Sequence, residues 1–229
     1  MIRSSKRWKR LATTLLPIYA WIPLGSALLL NCLVYFGTRL VTTDRYHYMM
    51  QTPVDDRLPF LSWFIIFYFL AYVQWIIGFI LACRESEKVC FHLLSAEIIA
   101  KLICLFCFLA FPTTIVRPAF SGHSVFDGLI RMLYKIDRPD NLFPSLHCLE
   151  SWFCLRSCKY LKKTPPWYFP VSLAVTVLVF LSTVLIKQHV VLDIPGGVLV
   201  METGLALALI FKTGRLFERI NLRLMENMK

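Results

Sequence analysis

Six runs of predominantly apolar residues, each close to the length of a membrane-spanning helix, constrain this chain more than any other feature. A transmembrane helix needs about 20 apolar residues, because the hydrocarbon core of a bilayer is about 30 Å thick. The runs cover residues 14–40, 59–82, 91–111, 145–161, 168–186 and 193–211. The fourth run is the shortest and contains several charges, so we expect it to be shielded inside a bundle. The pattern predicts an all-α integral membrane bundle of six transmembrane helices.

The composition supports a membrane protein and argues against a nucleic-acid-binding one. Hydrophobic residues make up 57% of the 229 residues and charged residues 17%, whereas soluble domains are about 25% charged. The net charge of +11 would suggest nucleic-acid binding in a soluble protein. Here the Lys and Arg residues lie mainly between the apolar runs, where they anchor the cytoplasmic ends of spans. We therefore expect a membrane-embedded protein with no nucleic-acid partner, and the sequence leaves its oligomeric state open.

The distribution of Lys and Arg also predicts an orientation. About twice as many of them fall on the N-terminal side of the membrane as on the other, which predicts that both termini are cytoplasmic. We expect a single membrane domain over 1–229, in a multi-pass protein of the cell membrane. Its parts would be a basic cytoplasmic N-terminus at 1–10, an extracytoplasmic active-site loop at 112–147 and an amphipathic cytoplasmic tail at 212–229.

Two histidines at the predicted outer face are the strongest candidates for chemistry. His147 follows Pro144-Ser145-Leu146 at the start of the fourth run, and His189 precedes Asp193 by four residues at the start of the sixth. Helix N-termini bind phosphate through free N–H groups, and Ser145 is placed to cap a helix or to donate to a phosphate oxygen. Asp193 at i+4 is placed to hold one imidazole nitrogen of His189 and leave the other as a nucleophile.

The remaining roles follow from that arrangement. His147 is a candidate to protonate a leaving alkoxide and later to activate water. Arg117 is a candidate to bind phosphate bidentately, and Lys187 to supply a second cation. Each feature alone has an ordinary structural explanation, such as a helix cap or a loop. Arg-Pro, Pro-Ser-x-His and His-x3-Asp in this order, on one predicted face, together indicate a catalytic site.

These motifs resemble the type 2 phosphatidic acid phosphatase superfamily of membrane lipid phosphatases. Its pattern is Lys-x6-Arg-Pro, then Pro-Ser-Gly-His, then Ser-Arg-x5-His-x3-Asp. In this chain the matching residues are Arg117 and Pro118, then Pro144, Ser145 and His147, then Ser182, His189 and Asp193. The resemblance implies that His189 forms a phosphohistidine, that Asp193 orients it, that His147 is the general acid and base, and that no metal or cofactor is required.

Three positions depart from the pattern. Ala110 stands at the lysine position of the first motif, Leu146 at the glycine of the second and Thr183 at the arginine of the third. Two phosphate-binding cations are therefore missing, and Lys187 is a candidate to replace one of them. With these departures the motifs look similar to those of the branch that contains inositol phosphorylceramide and sphingomyelin synthases. Those enzymes transfer a phospho-headgroup to a lipid alcohol.

Three functions stay open at this point. The first is a membrane phosphatase that hydrolyses a lipid phosphate or pyrophosphate, such as phosphatidate, at the outer face. The second is a lipid phosphotransferase that uses the same histidines and requires a lipid acceptor. The third is a non-catalytic transporter or assembly factor whose charged face binds anions. The clustering of charges at one face, without a repeat of spans, favours the first two.

Charges inside the apolar runs form a second group of candidates. Glu97 and Lys101 lie at i,i+4 and can form an ion pair. Glu150 lies one helical turn after His147, so it is a candidate to tune that histidine or to pair with Lys101 or Arg156. In the outer loop, Arg131, Lys135 and Arg138 are either guides for an anionic headgroup or an ordinary solvated surface.

Overall fold

The computed structural model describes residues 16–227, and most of these residues are helical. The long helices are α1 (Ile18–Thr42), α3 (Ile65–Glu85), α4 (Glu87–Ala110), α7 (Tyr168–Leu185) and α8 (Asp193–Ile210). The shorter helices are α2 (Pro53–Arg57), α5 (Val125–Ile136), α6 (Leu146–Ser157) and α9 (Gly214–Asn227). A parallel pair of two-residue strands joins two loops: β1 (Tyr48–Met49) and β2 (Thr113–Thr114). The predicted helical class is confirmed.

Five helices in the described part of the chain are long and apolar enough to cross a membrane. They correspond to the spans predicted at 14–40, 59–82, 91–111, 168–186 and 193–211, although residues 14 and 15 lie outside the described range. Their outward faces carry large exposed apolar side chains such as Leu28, Ile76 and Phe106. Such faces suit contact with lipid, because their side chains are apolar and the backbone groups in a helix interior bond within the helix.

The span predicted at 145–161 contains the short helix α6. Its 12 residues extend about 18 Å, which is less than the thickness of the hydrocarbon core. The helix ends early because the turn that leads to Pro165 and Pro166 begins soon after Ser157. A sixth helix of spanning length is therefore not confirmed.

The segment from α6 to this turn nevertheless runs alongside most of α3. The His147 ring stacks on Tyr68, one turn into α3, at a centroid distance of 4.0 Å. At the other end of α3, the Lys163 backbone N–H donates to the Glu85 carboxylate over 3.1 Å. The chain thus passes from one end of the bundle to the other here. Six crossings and cytoplasmic termini remain predictions.

Helix α1 begins with a 3₁₀ turn over Ile18–Ala20 and has one irregular part farther along. Pro17 precedes the first turn and Pro23 lies near the helix start, where a missing N–H costs little. The irregular part is a π-helical turn over Leu33–Gly37. Such turns are frequent at functional sites, and this one carries Tyr35.

Close packing joins the starts of α6 and α8. A Cβ atom added at Gly197 would lie 2.6 Å from the Ser145 carbonyl oxygen, so no larger residue fits without displacing backbone. The Ser145 N–H donates to the Asp193 carbonyl over 3.3 Å. Gly197 therefore lets the helix start that carries His147 lie against the helix start that carries Asp193.

The loop predicted at 112–147 contains a helix that the sequence analysis did not predict. Helix α5 begins with a capping box between Ser124 and Asp127, and its buried residues include Ile130 and Leu133. These pack against the start of α3 and the end of α7. The outer loop is therefore anchored to the bundle beside the histidines.

The tail predicted at 212–229 forms α9 over the residues that are described. Phe217 is buried and contacts Phe91 at a centroid distance of 5.9 Å, whereas Leu216 and Leu224 remain exposed. The exposed apolar side chains suit an interfacial helix, and placement at the cytoplasmic interface remains a prediction.

Candidate active site

His189 and Asp193 are in direct contact at the start of α8. His189 Nδ1 lies 2.9 Å from Asp193 Oδ2, and both side chains are buried. The same carboxylate oxygen accepts the Val190 N–H over 3.1 Å, while the His189 N–H donates to the Thr183 carbonyl over 3.0 Å. These contacts fix the imidazole and assign Nδ1 as its donor to the carboxylate, which leaves Nε2 free to react.

His147 approaches the same place from the start of α6. Its ring centroid lies 6.3 Å from that of His189, although the two residues are far apart in the chain. Tyr68 stacks on the His147 ring, and Trp75 lies 4.9 Å from it. Ser145 caps α6, since its Oγ accepts the Cys148 N–H over 3.3 Å. His147 Nε2 has no hydrogen-bond partner among the described residues.

Both histidines border a small cavity of about 40 Å³. Its polar lining also includes Gln188, Asp137, Asp140, Tyr35 and Arg39. The apolar part of the lining is formed by Phe108, Leu142 and Leu146 together with the Tyr68 ring. The cavity therefore combines two imidazoles, a guanidinium and carboxylates in a largely enclosed space.

Arg39 on α1 is the one Lys or Arg among the described residues that lines this cavity. Its Nη2 lies 2.5 Å from Asp137 Oδ1 and its Nε 2.7 Å from Asp140 Oδ1, and the Tyr35 hydroxyl also donates to Asp137. Burial alone would raise the pKa of Asp137, but the hydrogen bonds from Tyr35 and Arg39 outweigh it and lower the pKa. Asp137 is therefore an ionised partner of Arg39 at neutral pH.

The family model of the PAP2 superfamily, the type 2 phosphatidic acid phosphatases, matches residues 45–207. The chain belongs to the PAP2 superfamily. No curated protein and no solved structure matches it. The matched region contains both histidines and Asp193, but it begins after the end of α1. Tyr35 and Arg39 therefore reach the cavity from outside the PAP2 match.

The PAP2 arginine, Arg117, lies next to the cavity without lining it. Its guanidinium donates to the Asp137 carbonyl over 2.7 Å and to the side chain of Gln188, and it stacks 4.2 Å above the Tyr134 ring. Burial lowers the pKa of Arg117 and raises that of Tyr134 to about 12. In this arrangement Arg117 positions the residue that precedes His189.

Lys187 does not reach the cavity in this structure. Its Nζ donates to the backbone carbonyls of Asp55 and Leu58, over 2.7 and 2.8 Å. The Asp55 carboxylate accepts the Val191 N–H over 2.7 Å, so α2 holds both sides of the His189 turn. Partial burial lowers the pKa of Lys187. Lys187, the predicted second cation, thus holds backbone segments together here, because its ammonium group already donates to two carbonyl oxygens.

The positions that depart from the PAP2 pattern supply no replacement charge. The Thr183 hydroxyl is buried and donates to the Phe180 carbonyl over 2.8 Å, while Ala110 ends α4. The sequence analysis did not predict a role for Arg39. Its location at the end of the first apolar run was the available signal, but nothing in the local sequence connects it to aspartates about a hundred residues away.

The intramembrane charges form a separate cluster. Lys101 Nζ lies 2.5 Å from Glu150 Oε1 and 3.5 Å from Glu97 Oε1. Arg156 instead pairs with Glu202. Among residues 16–227, no group of three or more His, Cys, Asp or Glu side chains is arranged to hold a metal ion. The expectation that no metal is required remains a prediction.

Proposed function

We propose that this PAP2 protein is an integral membrane phosphatase that hydrolyses a lipid phosphate or pyrophosphate at the outer face of the cell membrane through a phosphohistidine. The observation that carries the proposal is the convergence of the His189–Asp193 pair and the His147 ring, 6.3 Å apart by centroid, on one enclosed cavity. Reacting atoms must approach to about 3–3.5 Å, and rings at this separation are close enough for a single phosphate group to contact both.

In the first step, His189 Nε2 attacks phosphorus and forms an N–P bond. The P–O bond to the lipid breaks, and the leaving alkoxide takes a proton from the protonated His147. Asp193 holds the Nδ1–H throughout and stabilises the positive charge that develops on the His189 ring. The products of this step are a free lipid alcohol and a phosphohistidine.

In the second step, water completes the cycle. His147, now neutral, takes a proton from a water molecule, and the resulting hydroxide attacks phosphorus. The N–P bond breaks, phosphate leaves, and both histidines return to their starting protonation states. Arg39 is the cation best placed to bind the phosphate oxygens, since it lines the cavity.

A second candidate function is transfer of the phospho-headgroup to a lipid alcohol. It is favoured by the enclosure of the site, where His189 is 9% exposed and apolar side chains surround much of the cavity. Restricted access of water slows hydrolysis and favours an acceptor that enters from the membrane. The same two histidines would serve, with an alcohol in place of water in the second step.

The test uses the purified full-length chain in detergent with a chelator present. Phosphatidate, phosphatidylglycerol phosphate and an isoprenyl pyrophosphate are supplied separately, each with and without diacylglycerol or ceramide. Release of inorganic phosphate without an acceptor supports the phosphatase. Product formation only with an acceptor supports the transferase, and absence of both reactions in folded protein refutes both functions.

A further inference from the structure

A second and much larger cavity lies between α1, α3 and α4. Its volume is about 400 Å³, and most of its lining is apolar. Leu28 of α1 and Ile76 of α3 line it and are 63% and 62% exposed, so its mouth opens on the surface that faces lipid. A cavity of this kind admits hydrocarbon directly from the membrane.

Two buried carboxylates, together with the Asn31 amide of α1, interrupt the apolar lining. Glu97 is 1% exposed and Glu150 7%, and both line the cavity. Lys101 pairs closely with one oxygen of Glu150 and lies 3.5 Å from one oxygen of Glu97. The second oxygen of Glu97 and the second oxygen of Glu150 have no hydrogen-bond partner among the described residues. Burying a carboxylate oxygen in apolar surroundings without a hydrogen-bond donor costs free energy. This indicates that a ligand supplies the donor.

Two aromatic side chains lie between this cavity and the His147 ring. Trp75 and Tyr72 line the cavity, and their rings lie 4.9 and 5.6 Å from the His147 ring. Trp75 is held in place by its indole N–H, which donates to Ser151 over 3.0 Å. Glu150 follows His147 by three residues, about 4.5 Å along the helix axis. A group bound at the carboxylates is therefore about one helical turn from the reacting end of the site.

We propose that this cavity binds a membrane lipid alcohol, with its hydroxyl group donating to Glu97 and its hydrocarbon chains directed to the mouth. The occupant must be largely apolar, since the lining is apolar and opens to lipid. It must also donate a hydrogen bond, because the oxygens that face it accept. A phosphate-bearing headgroup does not fit, because the lining places two carboxylates and no Lys or Arg side chain of the described residues against it, whereas Arg39 lines the small cavity. The role of this lipid as product or acceptor rests on the proposed function, whereas its binding does not.

The test measures binding of radiolabelled dioleoylglycerol to the full chain in detergent micelles. Unlabelled dioleoylglycerol and its methyl ether, which lacks the hydroxyl donor, serve as competitors. We expect the alcohol to compete about tenfold better than the ether, as for a hydrogen bond to a charged group. Glu97→Met should abolish this preference while it leaves the Lys101–Glu150 pair intact. Ala27→Phe, which fills the cavity from α1, should abolish binding itself.

Glu202→Met is the matched control, because it removes a carboxylate from a membrane helix outside the cavity and should keep the preference. His189→Ala should bind the alcohol normally, which separates this proposal from the catalytic one. Equal competition by alcohol and ether in the native chain would overturn the proposal, as would an unchanged preference in Glu97→Met. If Glu97→Met does not fold, retained binding in folded Ala27→Phe overturns it.

Discussion

At the scale of single residues, His189 is held from several directions at once. Asp193 fixes its ring, the Thr183 carbonyl fixes its backbone N–H, and Arg117 holds the preceding Gln188. The first contact was predictable, since residues four apart at a helix start are neighbours. The Gln188 contact was not, because Arg117 lies 71 residues away in the chain. Local spacing therefore indicated the pair but not the surroundings that orient it.

Removal of the nucleophile should have the largest effect of any single substitution. His189→Ala should lower the rate of phosphate release at least a thousandfold, because it removes the imidazole that forms the covalent intermediate in the proposed mechanism. Asp193→Asn should lower it about a hundredfold or more through loss of ring orientation. Rates with the preferred lipid substrate, measured with protein of verified fold, check both expectations.

His92→Ala is the matched control for this series. His92 lies on α4 beside Tyr160, at the end of the bundle away from the cavity. Its substitution should leave the rate near that of the native chain. A native rate in His189→Ala would instead mean that another residue carries the reaction.

Arg39 and Lys187 should respond differently to substitution. Arg39→Lys should raise KM for an anionic substrate about tenfold, because lysine cannot reproduce the forked geometry that holds Asp137 and Asp140 while facing the cavity. Lys187→Met should mainly lower the unfolding temperature, since it removes two bonds to backbone carbonyls. Steady-state kinetics and thermal unfolding of both variants distinguish the roles, and the opposite pattern would return Lys187 to phosphate binding.

The ion pair of Asp137 predicts a dependence of stability on pH. The folded-state pKa of Asp137 lies below its ordinary value of 3.8, so its contribution is present in full above that pH. The contribution is lost as the pH falls through the folded-state pKa. Asp137→Asn should therefore flatten the acid side of a plot of unfolding temperature against pH. Asp44→Asn, at an exposed position, serves as the control and should leave the plot unchanged.

At the scale of secondary-structure elements, the contact between α6 and α8 places the two histidines together. Gly197→Ala should destabilise the protein by about 1–3 kcal/mol, because the new Cβ would meet the Ser145 carbonyl. It should also lower activity, since His147 lies two residues beyond Ser145. Gly25→Ala is the matched control, with no atom within 4 Å of the added Cβ. Equal unfolding temperatures for the two variants would show that the helix starts are not tightly packed.

Hydropathy predicted the long helices well because side chains that face lipid must be apolar. It was less successful for α5 and α6, for opposite reasons. Helix α5 is amphipathic and lies in a mainly polar loop, so its signal is the capping box and the spacing of Ile130 and Leu133. Helix α6 is enclosed by α3, α7 and α8, and its Glu150 and Ser151 are stabilised by partners inside the bundle. Hydropathy contains no information about such partners.

At the scale of the whole molecule, the predicted orientation is testable by labelling. In a background without its native cysteines, Lys135→Cys on α5 and Lys162→Cys after α6 provide two exposed reporters. A membrane-impermeant maleimide added to intact cells should label the first and not the second until the cells are lysed. Labelling of position 162 alone would place the histidines at the cytoplasmic face.

The PAP2 match begins at residue 45, after the end of α1. That helix supplies Arg39 to the small cavity and one wall to the large one. The two histidines thus belong to the matched region, whereas part of the lining of both cavities comes from a helix outside it. Replacing Ile18–Thr42 with the corresponding helix of another superfamily member should therefore alter substrate preference while the reaction chemistry stays the same.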